Sequence, residues 1–507
     1  MIEQKNKGKT EETNPAYQDS SDYRQRVRGC WIGKTMGGGI GAPYEGDPLP
    51  HRLTPADLHI DQGPNDDLEL QLLWLRLAEQ HGLALRSKHF TPVWLEQLGR
   101  GFGCDEYGMA VFNLRRGLMP PATGYVDNWF INGMGAAIRA EIWGCLFPGN
   151  PAAAGFYAEQ DATLDHHGEG VWGEIFLASV VSEAFFCVSA SEALERGLRH
   201  IPSASRVSQA VRFTRELVGR SDDVCYIRNE IMHAFGSHNF TDCLMNLCFI
   251  TAALLLGEGD FVRTVLTAVN FGMDTDCTAA TCGSLFGLIH GPDSFGLTMP
   301  NEHIATSDCL DRSELPANIN ELTDRTVALA QRLAAERSHH PERICPSPYR
   351  PWQPDAATLA LSRSTWRIGY TDPDAEETSA SSSGLPVELP GFHTDLSGYC
   401  CNFATLYLTT FLTVPVELDN AQLLFCASTG ITVWLDGRMV LNYHGRQQPL
   451  PAFHRTEGGG VVYQRLEKGR RYAVKVRLLF GHSPLKFSFA AGDEKYHLVP
   501  GAQWNCN

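Results

Sequence analysis

Between about Asp22 and Arg337, apolar residues recur every three or four positions, the spacing that gathers them on one face of a helix. These runs predict helices over Asp67–His81, Ala152–Asp161, Gly173–Phe186, Ala190–Leu198, Ala204–Gly219, Leu244–Leu256, Phe261–Phe271 and Ile319–Arg337. Gly, Pro and Asn-rich loops join them, and strand-like alternation is scarce, so an all-helical domain is expected over residues 22–340. Near residue 345 the pattern changes. Ser338–Pro354 is rich in His and Pro and Asp372–Gly384 in Ser, Glu and Asp, which marks a connecting segment over 341–384. Beyond it the strand-like runs are Thr405–Phe411, Ala421–Ala427, Thr432–Leu435 and Tyr472–Leu478. The Asp436-Gly437 pair between Thr432–Leu435 and Arg438–Leu441 predicts a β-hairpin. The expected fold is therefore multi-domain, an all-α domain followed by an all-β sandwich, jelly-roll-like, over 385–507.

Composition trims the alternatives. A chain of 507 residues is too long for one ordinary core, and a hydrophobic fraction of 43% with 20% charged residues is that of a globular protein. The net charge of -16 argues against a nucleic-acid backbone or an anionic membrane as the main partner. The 15 cysteines follow no framework or CxxC spacing, so reduced thiols in a cytoplasmic protein are expected. Residues 1–21 are polar with no apolar centre, which fits a disordered tail and neither a signal peptide nor an anchor. No apolar run is long enough to span a bilayer.

Two acidic clusters carry the candidate chemistry. Asn65-Asp66-Asp67 opens one predicted helix, and Asp274-Thr275-Asp276-Cys277 opens another about two hundred residues later. Acids in a first turn are commonly caps, favoured by free N–H groups and the helix dipole. Adjacent carboxylates in one cluster and alternating ones in the other fit capping less well, because neighbouring like charges repel unless a cation lies between them. Carboxylate, amide and hydroxyl oxygens are the ligands of hard divalent ions. Asn65, Asp66, Asp67, Asp274 and Asp276 thus read as a split metal site. A thiol is a poor partner for magnesium, so the position at Cys277 is filled by that sulfur, by Thr278 or by water. Glycines at 29, 33, 37 and 41 recur every four residues and suit close helix packing, whereas Glu45 follows Gly41-Ala42-Pro43 and sits on a loop. Asn128 and Asn132, with amide side chains able to donate and accept hydrogen bonds, are candidate substrate-binding residues.

The clusters resemble, in residues and in order, the metal motifs of the ADP-ribosylglycohydrolase family. The Gly29–Glu45 segment is similar to that family's opening Gly-rich helix, Gly135–Gly144 with Pro148–Pro151 to its central segment, and Asp161–His166 to the stretch bearing its histidine. The likeness covers residues 22 to 335 and leaves the β region outside. It implies a hydrolase that uses two divalent ions, Mg2+ first and Mn2+ as the alternative, to cleave a ribosyl N- or O-glycosidic bond. The implied substrate is an ADP-ribosylated protein or small molecule. Asp66 or Asp67 is then the first candidate for the base, with Glu45 as the alternative, and Glu45, Gly135 and His166 are implied substrate contacts. Asn65, Leu68 and Cys277 depart from the family's best-known pattern. That keeps a related ribonucleoside or glycoside open as substrate, and a non-catalytic, metal-stabilised binding protein open as a further alternative. In the β region, Trp434 and Tyr443 could stack on a sugar or serve as core.

Overall fold

Gly29, Gly33, Gly37 and Gly41 lie on the side of the opening helix, Ser21–Gly41, that meets the helix Thr275–His290. A Cβ on Gly33 would stand 1.9 Å from the carbonyl oxygen of Gly283, and one on Gly283 would stand 2.1 Å from that of Gly33. The two backbones therefore touch, as only glycine permits. The four-residue repeat is a packing device, and it brings the end of the first helix to the start of the last one of the site.

The computed structural model describes residues 21–98, 106–344, 348–361, 363–370, 372, 384–399, 405–445, 452–453, 460–479 and 484–506. The tail expected to be disordered lies outside them, apart from Ser21, which begins the opening helix. A helical N-terminal region is followed by C-terminal antiparallel sheets. By contacts the described residues form two compact units: those within 21–85, 136–159 and 172–349 make one, and those within 86–135, 160–171 and 350–506 the other.

The first unit is helical. Helices at Asp66–His81, Ala190–Gly197, Arg206–Val218, Cys243–Leu256, Phe261–Asn270 and Ile319–His339 fall where the apolar periodicity places them. Most begin on a side chain that accepts from the first turn: Ser189 from Glu192, Ser205 from Ser208, Asp242 from Leu244, Asp260 from Arg263 and Asn318 from Glu321. No helix among the described residues is long and apolar enough to cross a membrane.

In the second unit two antiparallel sheets enclose one core. The strands are β1 (Arg363–Gly369), β2 (Leu385–Pro390), β3 (His393–Asp395), β4 (Leu406–Thr413), β5 (Leu418–Ala427), β6 (Ile431–Leu435), β7 (Arg438–Tyr443), β8 (Val461–Leu466), β9 (Arg471–Leu478), β10 (Lys486–Gly492) and β11 (Gln503–Trp504). One sheet runs β2-β1-β4-β9-β6-β7 with β11 also on β4, and the other β3-β10-β5-β8. Strand β1 falls inside the segment expected to be a connection. Strands β4 and β9 alternate buried and half-buried residues as a half-buried sheet should, and Trp366, Leu408, Phe425, Val476 and Phe489 fill the space between the sheets. The hairpin turns at Asp436 and Gly437, with φ of 48 and 77, the left-handed pair a tight two-residue turn requires. Helices at Ser87–Glu96 and Glu106–Arg115 belong to this unit, and Met109, Phe112 and Phe130 pack with Leu424, Phe453 and Ala490 of the strand-rich part.

Candidate metal centre

Three ties bring the loop after the opening helix against the loop before the Thr275 helix. Thr275 Oγ1 donates to the Gly41 carbonyl at 2.8 Å, the Gly46 amide to the Met273 carbonyl at 2.9 Å, and the Met273 amide to the Asp47 carbonyl at 2.7 Å. Arg228 clamps both loops, donating to the carbonyls of Phe271 at 2.7 Å and Pro48 at 2.6 Å. Gly272 and Met273 both have positive φ, 73 and 68, so a non-glycine residue is held in the left-handed region immediately before Asp274. Such strain persists where surrounding contacts over-determine it, as the paired amides do here.

The result is a concentration of acids from separate elements. One carboxylate oxygen each of Glu45, Asp274 and Asp276 lies within 4.8 Å of the others, and so do ligand atoms of Asp67, Asp276 and Cys277. Asp276 belongs to both groups. Glu45 is exposed, Asn65 and Asp66 are half-buried, and Asp67, Asp274, Asp276 and Cys277 are buried.

Side-chain capping is absent at both clusters. Asn65 and Asp274 stand in the N-cap positions of their helices, yet neither side chain makes a capping hydrogen bond. Asp67 Oδ2, both oxygens of Asp274, Asp276 Oδ1 and Asn65 Oδ1 are buried without a hydrogen-bond partner. Buried polar atoms are normally satisfied, and orphaned carboxylate oxygens on the grouped Asp67, Asp274 and Asp276 are chemically able to hold a cation. Burial, then the charge of Glu45, pushes the carboxyls of Asp274 and Asp276 well above the usual carboxylate range. Asp67 is raised to about 7 by burial, with Lys34 pulling the other way, and burial followed by Asp274 raises the Cys277 thiol. Thr278 Oγ1 donates to the Thr275 carbonyl at 3.3 Å, so its proton stays within the helix turn.

One residue that touches the site is not among the candidates the sequence singles out. Lys34 is wholly buried, and its ammonium donates to Asp67 Oδ1 at 3.2 Å, Glu141 Oε1 at 3.0 Å and the Ile138 carbonyl at 2.6 Å. Burial would lower its pKa, but Asp67 and Glu141 outweigh burial and hold it above its ordinary value. Glu141 is held in turn by Gln71 Nε2 at 2.9 Å and Ser284 Oγ at 3.0 Å. The only hint in the sequence is a lone Lys in a Gly-rich apolar helix. Arg139, also buried, sets its guanidinium carbon 5.9 Å from the Trp74 ring centroid, while Glu141 takes Lys34.

The other expected site residues belong to the second unit. Asn128 is buried and its amide is engaged, donating to the carbonyls of Gly124 at 2.9 Å and Asp165 at 2.6 Å and accepting from the Phe130 amide at 2.9 Å. That is a loop-holding role. Asn132 is half-buried and Gly135 buried. His166 is buried with Nδ1 2.9 Å from Asp165 Oδ1. In the sandwich, the Trp434 ring is covered by Lys475, whose Nζ lies 4.5 Å from its centroid, and by Arg477 at 5.6 Å, and Tyr443 packs against the core.

Comparison with known proteins gives the chain's family. An uncharacterized protein of Archaeoglobus fulgidus is 25% identical over 327 residues, which is 60% of this chain and 99% of that protein. A solved structure described as an ADP-ribosylglycohydrolase-related protein complex aligns with 20% identity and a TM-score of 0.42, over 62% of this chain and 99% of its own. A β-glucosidase from Kluyveromyces marxianus aligns over 25% of this chain and 16% of its own, with 13% identity and a TM-score of 0.20. The family model described as ADP-ribosylglycohydrolase matches residues 19–362, and by that match the chain belongs to the ADP-ribosylglycohydrolase family.

Proposed function

We propose that this protein is a metal-dependent hydrolase of a ribosyl N- or O-glycosidic bond, removing ADP-ribose from a modified protein or small molecule. The observation that carries this reading is the set of orphaned, buried carboxylate oxygens on Asp67, Asp274 and Asp276, in a chain of the ADP-ribosylglycohydrolase family. These are hard oxygen donors without internal partners, and they fit divalent ions, Mg2+ first and Mn2+ as the alternative. Glu45, Asp274 and Asp276 would hold one ion, and Asp67, Asp276 and the Cys277 position a second, with Asn65, Asp66 and Thr278 at hand. Bound divalent ions supply Lewis acidity, which lowers the pKa of a water and orients ribose hydroxyls.

The protein's own residues do the rest. Lys34 grips Asp67 from behind, so that acid is suited to holding. Asp66, half-buried beside it, is the better-placed base toward water at the anomeric carbon, with the exposed Glu45 as the alternative. The grouped carboxylates favour the positive charge that develops on the sugar ring as the glycosidic bond breaks. A cytoplasmic setting is supported by the 15 cysteines without framework spacing.

The test is a panel of arginine- and serine-linked ADP-ribosyl peptides and ribonucleosides, incubated with the protein and Mg2+. The reading expects free ADP-ribose, stopped by a chelator and by Asp276→Ala. Cleavage of nucleosides alone would move the substrate to that class, and no cleavage of any member would sink the reading.

A further inference from the structure

The two groups of donors that share Asp276 are not chemically alike. Glu45, Asp274 and Asp276 are three carboxylates and, among the described residues, no cation of the protein lies on Asp274 or on the unpartnered oxygen of Asp276. In the other group, Asp67 has a full ammonium 3.2 Å from Oδ1, which offsets its charge and leaves Oδ2 as its one open oxygen. The third donor there is the sulfur of Cys277, buried at the start of the Thr275 helix. The neighbouring hydroxyls are turned to backbone carbonyls, Thr275 to Gly41 and Thr278 to Thr275.

Cation affinity in oxygen sites rises with the number of ligand charges, and sulfur favours softer first-row metals over magnesium. We infer that the centre is unequal: a hard position at Glu45, Asp274 and Asp276 that takes Mg2+, and a position at Asp67, Asp276 and Cys277 that prefers a borderline transition metal. When the sulfur binds such an ion its proton leaves to solvent, and no electron changes hands. This rests on the metal-dependent reading proposed above and concerns which ion each position takes.

The full-length protein, freed of metal, is titrated with Mg2+ in a calorimeter and with Co2+ in a spectrophotometer. Mg2+ is expected to fill one position per chain, with any second event at least about tenfold weaker. Co2+ is expected to fill two, the second bringing a sulfur-to-cobalt charge-transfer band in the near ultraviolet. Cys277→Ser should lose that band, and Cys277→Thr should gain a second Mg2+ position. Two equal Mg2+ positions in the wild type, or two bound Co2+ without the sulfur band, would overturn the inference while leaving the proposed function standing. Failure to bind either ion would overturn both. The wild-type spectrum decides the matter without relying on the folding of a variant.

Discussion

The ammonium of Lys34 lies 3.2 Å from Asp67 Oδ1, and the other oxygen of that carboxylate has no partner. A single buried cation thus holds one edge of Asp67, and a carboxylate oxygen of the same residue lies close to Asp276 and Cys277. Removing one member of a buried ion pair leaves an uncompensated charge and costs about 3–5 kcal/mol. Lys34→Met is therefore expected to destabilise the metal-free protein by about that amount in urea unfolding. An unchanged midpoint would mean that Asp67 and Glu141 do not depend on it.

The contact between the opening helix and the Thr275 helix predicts a sharp penalty for one methyl group. In Gly33→Ala the new Cβ would meet the Gly283 carbonyl at 1.9 Å, so the backbones must part. Overpacking of this kind costs about 1–3 kcal/mol. Because the same two helices bring Glu45 to Asp274 and Asp276, divalent-ion affinity should fall along with stability. Loss of neither, measured by unfolding and by calorimetry, would show that the helices do not set the site.

Asp67 gives a pH dependence of definite sign. Its carboxyl rises from an ordinary 3.8 to about 7, first through burial, so the folded chain holds that proton more tightly than the unfolded chain does. The stability tied to this group is full below about 3.8 and is lost as pH climbs through about 7. In chelator, Asp67→Asn should match the wild type near pH 4 and exceed it above pH 7, roughly. A thermal-melting gap that stays constant over that range would contradict the assignment.

Phe112 tests the grouping within the second unit. Its ring meets Phe392 edge-on at 5.8 Å, within the cluster that also holds Leu424 and Phe453. Phe112→Ala should cost about 3–5 kcal/mol, and the sandwich should register the loss. Cutting the chain at residue 349 should likewise leave Met109, Phe112 and Phe130 without cover and lower soluble yield. A stable, soluble product would show that the 86–135 segment does not depend on the strands.

Local pattern made much of this legible. Helix runs, the Asp436-Gly437 turn and the glycine repeat each reflect a rule that acts over a few residues, and the structure follows them. The acidic clusters were visible too, but sequence alone could not separate capping from metal binding. The structure adds that Asn65 and Asp274 sit at N-cap positions and make no capping hydrogen bond. Lys34 and Glu141 were opaque for a different reason. Their partnership spans 107 residues, beyond the reach of any periodicity. Asn128 is a side chain of suitable chemistry whose amide is engaged with the backbone of Gly124, Phe130 and Asp165, which its position in the sequence does not reveal.

Asp276 is the residue common to both donor groups, so it offers the most direct test of whether the buried acids form a cation site. The measurement is a calorimetric titration of Mg2+ into metal-free wild type and Asp276→Ala, each shown to be folded. A saturable binding heat in the wild type that is absent from the variant is the predicted result. Identical isotherms for the two proteins would contradict it.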